Sequence, residues 1–347
     1  MASSSPTYEE TRGAGQMRAD RLIDLVSRVR EFGLIVALLV IVIIVRARVD
    51  RFTSINNIKA ILVSVAILAV LAVGQTLVVL TRNVDLSVAS QVGMVAYLSG
   101  YMFKHNHINS LFVVILFACG LGIAMGAVNG LLVTVGRVPA IVATLGTLYV
   151  FRGLDFWIAS GKQIIVSDVP KSYRGIAMNP WIGNIPNPII IAGAIALIFG
   201  FLLRYTRTGR QLYAIGSNPP AARLAGLRSD LLVFGAYTTC GLLCGVAGIL
   251  WGARFGSVDA RAASGYELQV IAATVVGGVN IFGGSGTVFG AVLGAVLLGT
   301  IANALTVLRL SEFWLQAISG AVILLAVTLD ALITRRLQRA LIARRNR

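Results

Sequence analysis

Between residues 33 and 333 the chain returns ten times to an apolar run, and most of these runs are long enough to cross a bilayer as a helix. The runs fall at about 33–45, 58–80, 84–102, 110–135, 138–160, 188–204, 231–253, 266–282, 286–308 and 312–333. The first has the length of a signal-peptide core. The basic region before it is long, however, and no small-residue cleavage site follows, so it reads as an uncleaved span extended by Phe32 and the residues after Val45. Hydrophobic residues make up 57% of the 347 and charged residues only 13%, which excludes a soluble domain of this size. The expected fold is therefore all-α: a polytopic helical membrane protein with about ten spans.

A net charge of +16 could indicate a nucleic-acid partner, but its distribution excludes one. Arg12, Arg18, Arg21, Arg28 and Arg30 precede the first span, Arg335, Arg336, Arg339, Arg344, Arg345 and Arg347 follow the last, and Arg207, Arg210, Arg223 and Arg228 share one internal loop. That is the positive-inside pattern, and with ten spans it places both termini in the cytoplasm. Arg46, Arg48, Arg51 and Lys59 fall on the outer side against the trend, and one span more or fewer would reverse every later loop. The organisation is then a basic cytoplasmic segment, 1–32, a single membrane domain, 33–333, with a cytoplasmic loop at 205–230, and a basic tail, 334–347. Residues 1–30 are either disordered or form a basic surface helix from about Arg18.

Leu80 to Gln91 interrupts the apolar pattern with Arg82, Asn83, Asp85, Ser87, Ser90 and Gln91. The run after it, 92–102, is too short to span unless the polar stretch belongs to it, so these residues enter the membrane or sit at its edge. A carboxylate there costs a few kcal/mol unless it faces protein or water. Asp85 could accept bonds from the first free N–H groups of the following helix. Two uses remain open on these residues: a broken span of the kind that lines a substrate passage, or a tight helix–helix turn held by a capping Asp. A second break, Gly277 to Gly286, interrupts the later run, and the pair of breaks raises an internal repeat.

Glycines recur at four-residue spacing: Gly122, Gly126 and Gly130, then Gly241 and Gly245, then Gly286, Gly290 and Gly294. Such rows let helix backbones approach closely in lipid. Packing within the subunit is the leading use, and a pore-lining bundle or a subunit contact the alternative. Cys119, Cys240 and Cys244 lie in apolar runs without His or carboxylate neighbours, which favours buried packing over metal ligation. The segment 161–187, with Pro170, Pro180, Pro186 and Trp181, is either a docking surface for an external partner or a connector.

The inner loop carries the clearest local signal. Asn218 is placed as an N-cap, Pro219 as the first helical residue, Ala221 to Ala225 as a short helix, and Gly226 as its stop. A short capped helix of this kind suits a groove in another protein, or lies on lipid headgroups as an interfacial helix. No phosphate-binding loop accompanies it: Gly161-Lys162 lacks both the preceding glycine and the following hydroxyl. No metalloprotease or nucleophile-elbow motif occurs, which points to a non-enzyme without a bound cofactor or metal. There is no ladder of intramembrane acids to relay protons and no channel filter motif. A transport path in such a chain needs an external motor.

Four stretches resemble permease subunits of the bacterial ribose/xylose/rhamnose/autoinducer-2 family of ATP-binding-cassette importers. They are Thr81 to Val88, Asn129-Gly130 with Val138 to Leu148, Gly209 to Gly226, and Val275 to Gly294. Together they cover most of 60–300 in the family's order. The resemblance implies ten spans per subunit, two permease subunits (the same or different) around a central path, a cytoplasmic ATPase that binds the ATP, and an extracytoplasmic sugar-binding protein, all in the bacterial inner membrane. It implies that Gly209, Asn218, Pro219, Ala222, Arg223, Leu224 and Gly226 belong to the loop that couples to the ATPase. Asn83, Asp85, Ser87, Ser90, Gln91, Asn129, Thr144 and Thr147 are then expected near the solute path. The family usually carries glycine where this chain has Ala89, and the Thr-Arg-Asn-Val-Asp form is closer to the rhamnose and autoinducer-2 branch. The alternatives are an ion-coupled secondary transporter with sites at the two breaks, and a related permease for branched-chain amino acids.

Overall fold

The computed structural model describes residues 32–105, 110–311, 313–321, 323–324 and 328. The basic segments before 32 and after 333 lie outside the described residues. No β-strand occurs among the described residues, only two isolated bridges, so the chain is all-α. Helix α1 covers 32–48. It is followed by α2 (Ile55–Leu80), α3 (Val88–His105), α4 (Leu111–Thr134), α5 (Ala140–Ala159), a short α6 (Lys171–Met178) and α7 (Asn187–Tyr205). Then come α8 (Arg207–Ser217), α9 (Pro219–Leu224), α10 (Ser229–Phe255), α11 (Tyr266–Val276) and α12 (Val288–Val307), and residues 313–321 are helical again.

Six of these helices, α2, α4, α5, α7, α10 and α12, are long and apolar enough to cross a membrane, at the predicted places. The other four predicted spans are shorter or described only in part. α3 begins at Val88 rather than at 84, because the backbone before it turns around Asp85. The run 266–282 is helical for only 11 residues before its glycines open the chain. At about 1.5 Å per residue such a helix cannot span the hydrocarbon by itself.

Burial separates the roles of the spans. Every residue of α2 from Val65 to Leu80 is buried, as expected of a helix that is apolar all round and has no polar face to turn to solvent. α10 packs on α2, α3 and α4. Its crossing with α4 is made by the glycine rows: a methyl at Gly122 would overlap the Gly241 carbonyl oxygen, and one at Gly126 the Tyr237 carbonyl oxygen. Gly130 lies against Phe234. Gly290 and Gly294 bring α12 against Ala273 of α11 and Gly277 just after it in the same way. Gly286 stands outside that row. It precedes the helix with φ 137°, a conformation that a side chain would strain. Cys240 and Cys244 are buried free thiols and Cys119 is half-buried.

The loops sort to two ends. At one, Leu80, Gly216 and Gly284 meet, and Arg137 pairs with Asp230. At the other, Lys59 donates to Asn184 (2.6 Å), Lys104 pairs with Asp168 (2.8 Å), and Ile164 bridges Val258. All four predicted inner loops thus gather on one face. The basic stretch 46–59 lies with the predicted outer loops, despite its charge. Burial of Tyr173, Ile176 and Ala177 anchors α6 within the segment 161–187, which makes it a folded cover rather than a plain connector.

Candidate functional site: a coupling junction at two helix breaks

The break after α2 begins where Arg82 adopts a left-handed backbone (φ 66°) and turns the chain out of the helix. Asp85 then folds back on its own chain. Its Oδ1 accepts the Ser87 N–H (2.8 Å) and the Ser87 hydroxyl (2.6 Å). This is an Asx-type turn, and the Ser87 carbonyl accepts the first helical bond of α3 from Gln91 N–H (2.9 Å). Asp85 therefore shapes the approach to the helix instead of capping its second or third N–H.

Side chains from four other helix positions close on this turn. Gln91 Nε2 donates to Asp85 Oδ2 (3.2 Å) and to Ser87 Oγ (2.8 Å). Asn129 Nδ2 of α4 donates to Ser87 Oγ (2.7 Å) and approaches both Asp85 oxygens (3.3 and 3.4 Å). Thr147 of α5 donates to Asn129 Oδ1 (2.6 Å), and the Thr144 hydroxyl, which bonds the Ala140 carbonyl of its own helix (2.8 Å), also approaches the Val84 carbonyl (3.3 Å). Ser90 bonds locally to the Ser87 carbonyl (2.8 Å). Asp85, Ser87, Ser90, Gln91, Asn129, Thr144 and Thr147 are all buried, while Asn83 is half-buried and bonds Thr81. So the structure brings the expected path residues together, and within this one chain it turns them inward on each other. Apart from Gln91 Oε1, which has no partner among the described residues, these buried polar groups satisfy one another, and such networks favour a single arrangement.

Two contributors were not singled out by sequence. Gln75 of α2, with its amide turned to satisfy both groups, brackets Asp85 by donating to its carbonyl (3.3 Å) and accepting its N–H (3.2 Å). Tyr237 of α10 donates to the Val84 carbonyl (3.3 Å). A lone Gln in the apolar run of α2 was the available signal. Asp155 of α5 was also missed: it is fully buried, and neither carboxyl oxygen has a hydrogen-bond partner among the described residues. The neighbouring Arg152 instead donates to the Ala260 and Ala262 carbonyls (2.9 and 2.8 Å).

The first half of the break grips the loop between α7 and α10. The Arg82 guanidinium donates to the Gly216 carbonyl through Nε and to the Ser217 carbonyl through Nη2 (2.9 Å). Gly284 N–H of the second break donates to the Leu80 carbonyl (3.0 Å), and Tyr213 of α8 donates to the Gly286 carbonyl (2.7 Å). The approach is so close that a methyl at Gly216 would overlap the Leu80 carbonyl oxygen, and one at Gly284 would lie 2.5 Å from Ser217. Gly283, Gly284 and Gly286 all have left-handed φ, which is why this break is written in glycine.

α8 ends at this junction and α9 leaves it. The sequence expectation for α9 holds in detail. Asn218 Oδ1 accepts the Ala221 N–H (3.2 Å), Pro219 opens the helix, and Gly226 (φ 75°) ends the turn after it. Ala222 is buried beneath it, while Arg223 is exposed and Leu224 is 91% exposed at the tip. Gly209 permits the tight turn from α7 into α8, with its N–H on Thr206 Oγ1 (3.1 Å). α9 is thus joined through α8 to both helix breaks.

The described chain is a multi-span α-helical bundle with an exposed short helix joined to two breaks in its spans, and comparison with known families places it among transport permeases. The family described as "Branched-chain amino acid transport system / permease component" matches residues 57–327. The chain belongs to that family. The ribose import permease protein RbsC of Escherichia coli (strain K12) is 36% identical over 301 residues, covering 85% of this chain and 92% of the relative. The autoinducer 2 import system permease protein LsrC of Salmonella typhi is 35% identical over 324 residues, covering 92% and 91%. LsrC of Photorhabdus luminescens is 34% identical over 309 residues, covering 89% and 92%. No solved structure matches the chain.

Proposed function

We propose that this chain is the membrane-spanning subunit of an ATP-driven importer and carries a monosaccharide or a sugar-like solute across the bacterial inner membrane. The observation that carries this is the similarity to ribose and autoinducer-2 import permeases over nearly the whole length of both chains. The branched-chain amino acid alternative draws on the family's description, but the relatives named above favour sugar-like cargo. An ion-coupled mechanism is not favoured by any of them.

In this mechanism the face bearing α8 and α9 is cytoplasmic, and both termini lie on that side. α9 seats on a partner ATPase, Leu224 and Arg223 supply the contact, and an external sugar-binding protein delivers solute to the opposite face. A second permease subunit completes the path. The Asp85 network flanks that path and acts by holding the first break in shape. Movement of α9 on ATP binding reaches the break through Arg82, and the second break through Tyr213 and Gly284.

The test is Ala222→Pro in the permease reconstituted with its ATPase and binding protein. Ala222 N–H donates to the Asn218 carbonyl (2.9 Å), and proline removes that donor from the first turn of α9. Solute-stimulated ATP hydrolysis should fall at least tenfold while the protein still inserts in the membrane. Unchanged stimulation would overturn the coupling role. Uptake driven by an ion gradient without an ATPase would overturn the importer assignment.

A further inference from the structure

Toward the end of the bundle opposite the junction stand an arginine and a carboxyl that do not meet. Asp155 lies near the end of α5, fully buried, and neither of its oxygens is bonded among the described residues. Arg152 stands three residues before it, a spacing at which side chains on a helix are neighbours. Its guanidinium instead crosses to the loop 256–265, where Nη1 donates to the Ala260 and Ala262 carbonyls (2.9 and 2.8 Å). The other groups near the carboxyl are engaged elsewhere or of like charge. Tyr97 of α3 gives its hydroxyl to the Lys162 carbonyl (3.3 Å), and Asp259 accepts the Arg261 N–H (2.9 Å). A buried acceptor left without a donor is costly and rare in a native fold.

The loop is shaped to present those two carbonyls. Its turn is closed by the Ala262 N–H on the Asp259 carbonyl (3.1 Å), and Ala263 follows in a left-handed backbone (φ 58°). Gly93 of α3 leaves the slot for the guanidinium: a methyl there would lie 2.6 Å from the Ala262 carbonyl oxygen and 2.7 Å from Arg152 Nη1. Arg152 therefore has one seat, filled, on the loop, and a second, empty, one turn along its own helix. The two seats lie on elements that lead to the two breaks. α5 turns Thr147 and Asp155 to one buried face, and Thr147 joins the network of the first break. The loop continues into α11, whose 11 residues end at Gly277, where the second break begins.

We propose that Arg152 is a two-position latch. On the Ala260 and Ala262 carbonyls it holds the loop against α5, the position seen here. When the loop moves away, the guanidinium passes to the Asp155 carboxylate. Two carbonyl bonds are then exchanged for an ion pair, and neither charge is left stranded. An arginine–carboxylate pair is two-pronged and charge-assisted, so it can replace both carbonyl bonds. A side chain with two discrete partners gives a segment two discrete positions, which a face that opens and closes requires. That the latch gates the face receiving solute rests on the importer reading; the two positions of Arg152 do not.

The test follows hydrogen exchange in 256–265 on the full chain in lipid nanodiscs. Asp155→Leu removes the second seat, so opening of the loop strands the guanidinium; exchange should slow by about tenfold, the worth of one charge-assisted bond. Arg152→Gln removes the hold on the loop, and exchange should quicken by about as much. In Asp155→Leu/Arg152→Gln exchange should match that of Arg152→Gln alone, because Asp155 acts only through Arg152. Unchanged or faster exchange in Asp155→Leu overturns the latch. Slowing that persists in the double variant makes the carboxyl a packing defect rather than a seat, and also overturns it. Gly93→Ala leaves both charged residues in place and closes the slot, so it serves if Arg152→Gln does not fold: exchange should quicken, and unchanged exchange overturns the latch. Failure of the importer assignment would appear in the uptake assay and would leave these exchange rates unaffected.

Discussion

Removing the Asp85 carboxyl should unfold the junction before it affects any solute contact. In Asp85→Ala the Ser87 N–H loses its only side-chain acceptor, whereas Gln91 and Asn129 keep Ser87 Oγ at 2.8 and 2.7 Å. One fully stranded buried N–H costs about 1–3 kcal/mol, and two weakened amide contacts add about 1 kcal/mol. Relief of burying the carboxyl offsets part of this. The net loss should be about 1–3 kcal/mol. Asp85→Asn keeps an acceptor for Ser87 but turns an amide toward the donors of Gln91 and Asn129, and should lose about half as much. Unfolding of the purified protein by SDS titration in mixed micelles, followed by circular dichroism, measures both. Transport should fall in the same order as stability. A midpoint unchanged from wild type in both variants, together with lost transport, would refute the structural role and place the carboxyl on the solute.

Gly216→Val should break the junction, because its side chain would overlap the Leu80 carbonyl oxygen and crowd Gly284; solute-stimulated ATP hydrolysis should be abolished, with solute-independent hydrolysis remaining. Asp155→Leu should raise stability by about 1–3 kcal/mol, since it replaces a buried carboxyl whose oxygens have no described partner; a fall in the same SDS titration would show that Arg152 depends on it. At the opposite face, the Ile165 N–H and the Lys104 ammonium hold the Asp168 carboxyl below its usual range. Its contribution is therefore present above about pH 4, the ordinary aspartate value, and is lost as pH falls through the depressed one. Hydrogen exchange in 161–170 should be independent of this pair between pH 5 and 8 and should quicken only in stronger acid.

Much of the fold was legible because lipid imposes a simple rule: a backbone that cannot bond water must close its bonds within a helix or a closed barrel, and apolar runs of about 20 residues fit only the helix. The runs from 58–80 to 286–308 that became α2, α4, α5, α7, α10 and α12 needed no tertiary information. Nor did α9, since Asn218, Pro219 and Gly226 act on their own neighbours in the chain. The two breaks were visible as polar or glycine-rich interruptions for the same reason.

What the breaks do was decided by contacts between residues far apart in the chain. Nothing local says that Arg82 reaches Gly216 and Ser217, or that Gly284 meets Leu80. Nor could spacing tell that Asp85, Asn129 and Thr147 would face one another within one subunit, because hydropathy records how apolar a helix is and not which neighbour its polar side chain meets. The order of residues along the chain determined that it is a bundle of membrane helices with two interruptions and one short capped helix. Only the packing of α2, α8 and the turn between α11 and α12 decided that α9 and both interruptions meet at one junction, since that requires backbones to approach where glycine alone leaves room.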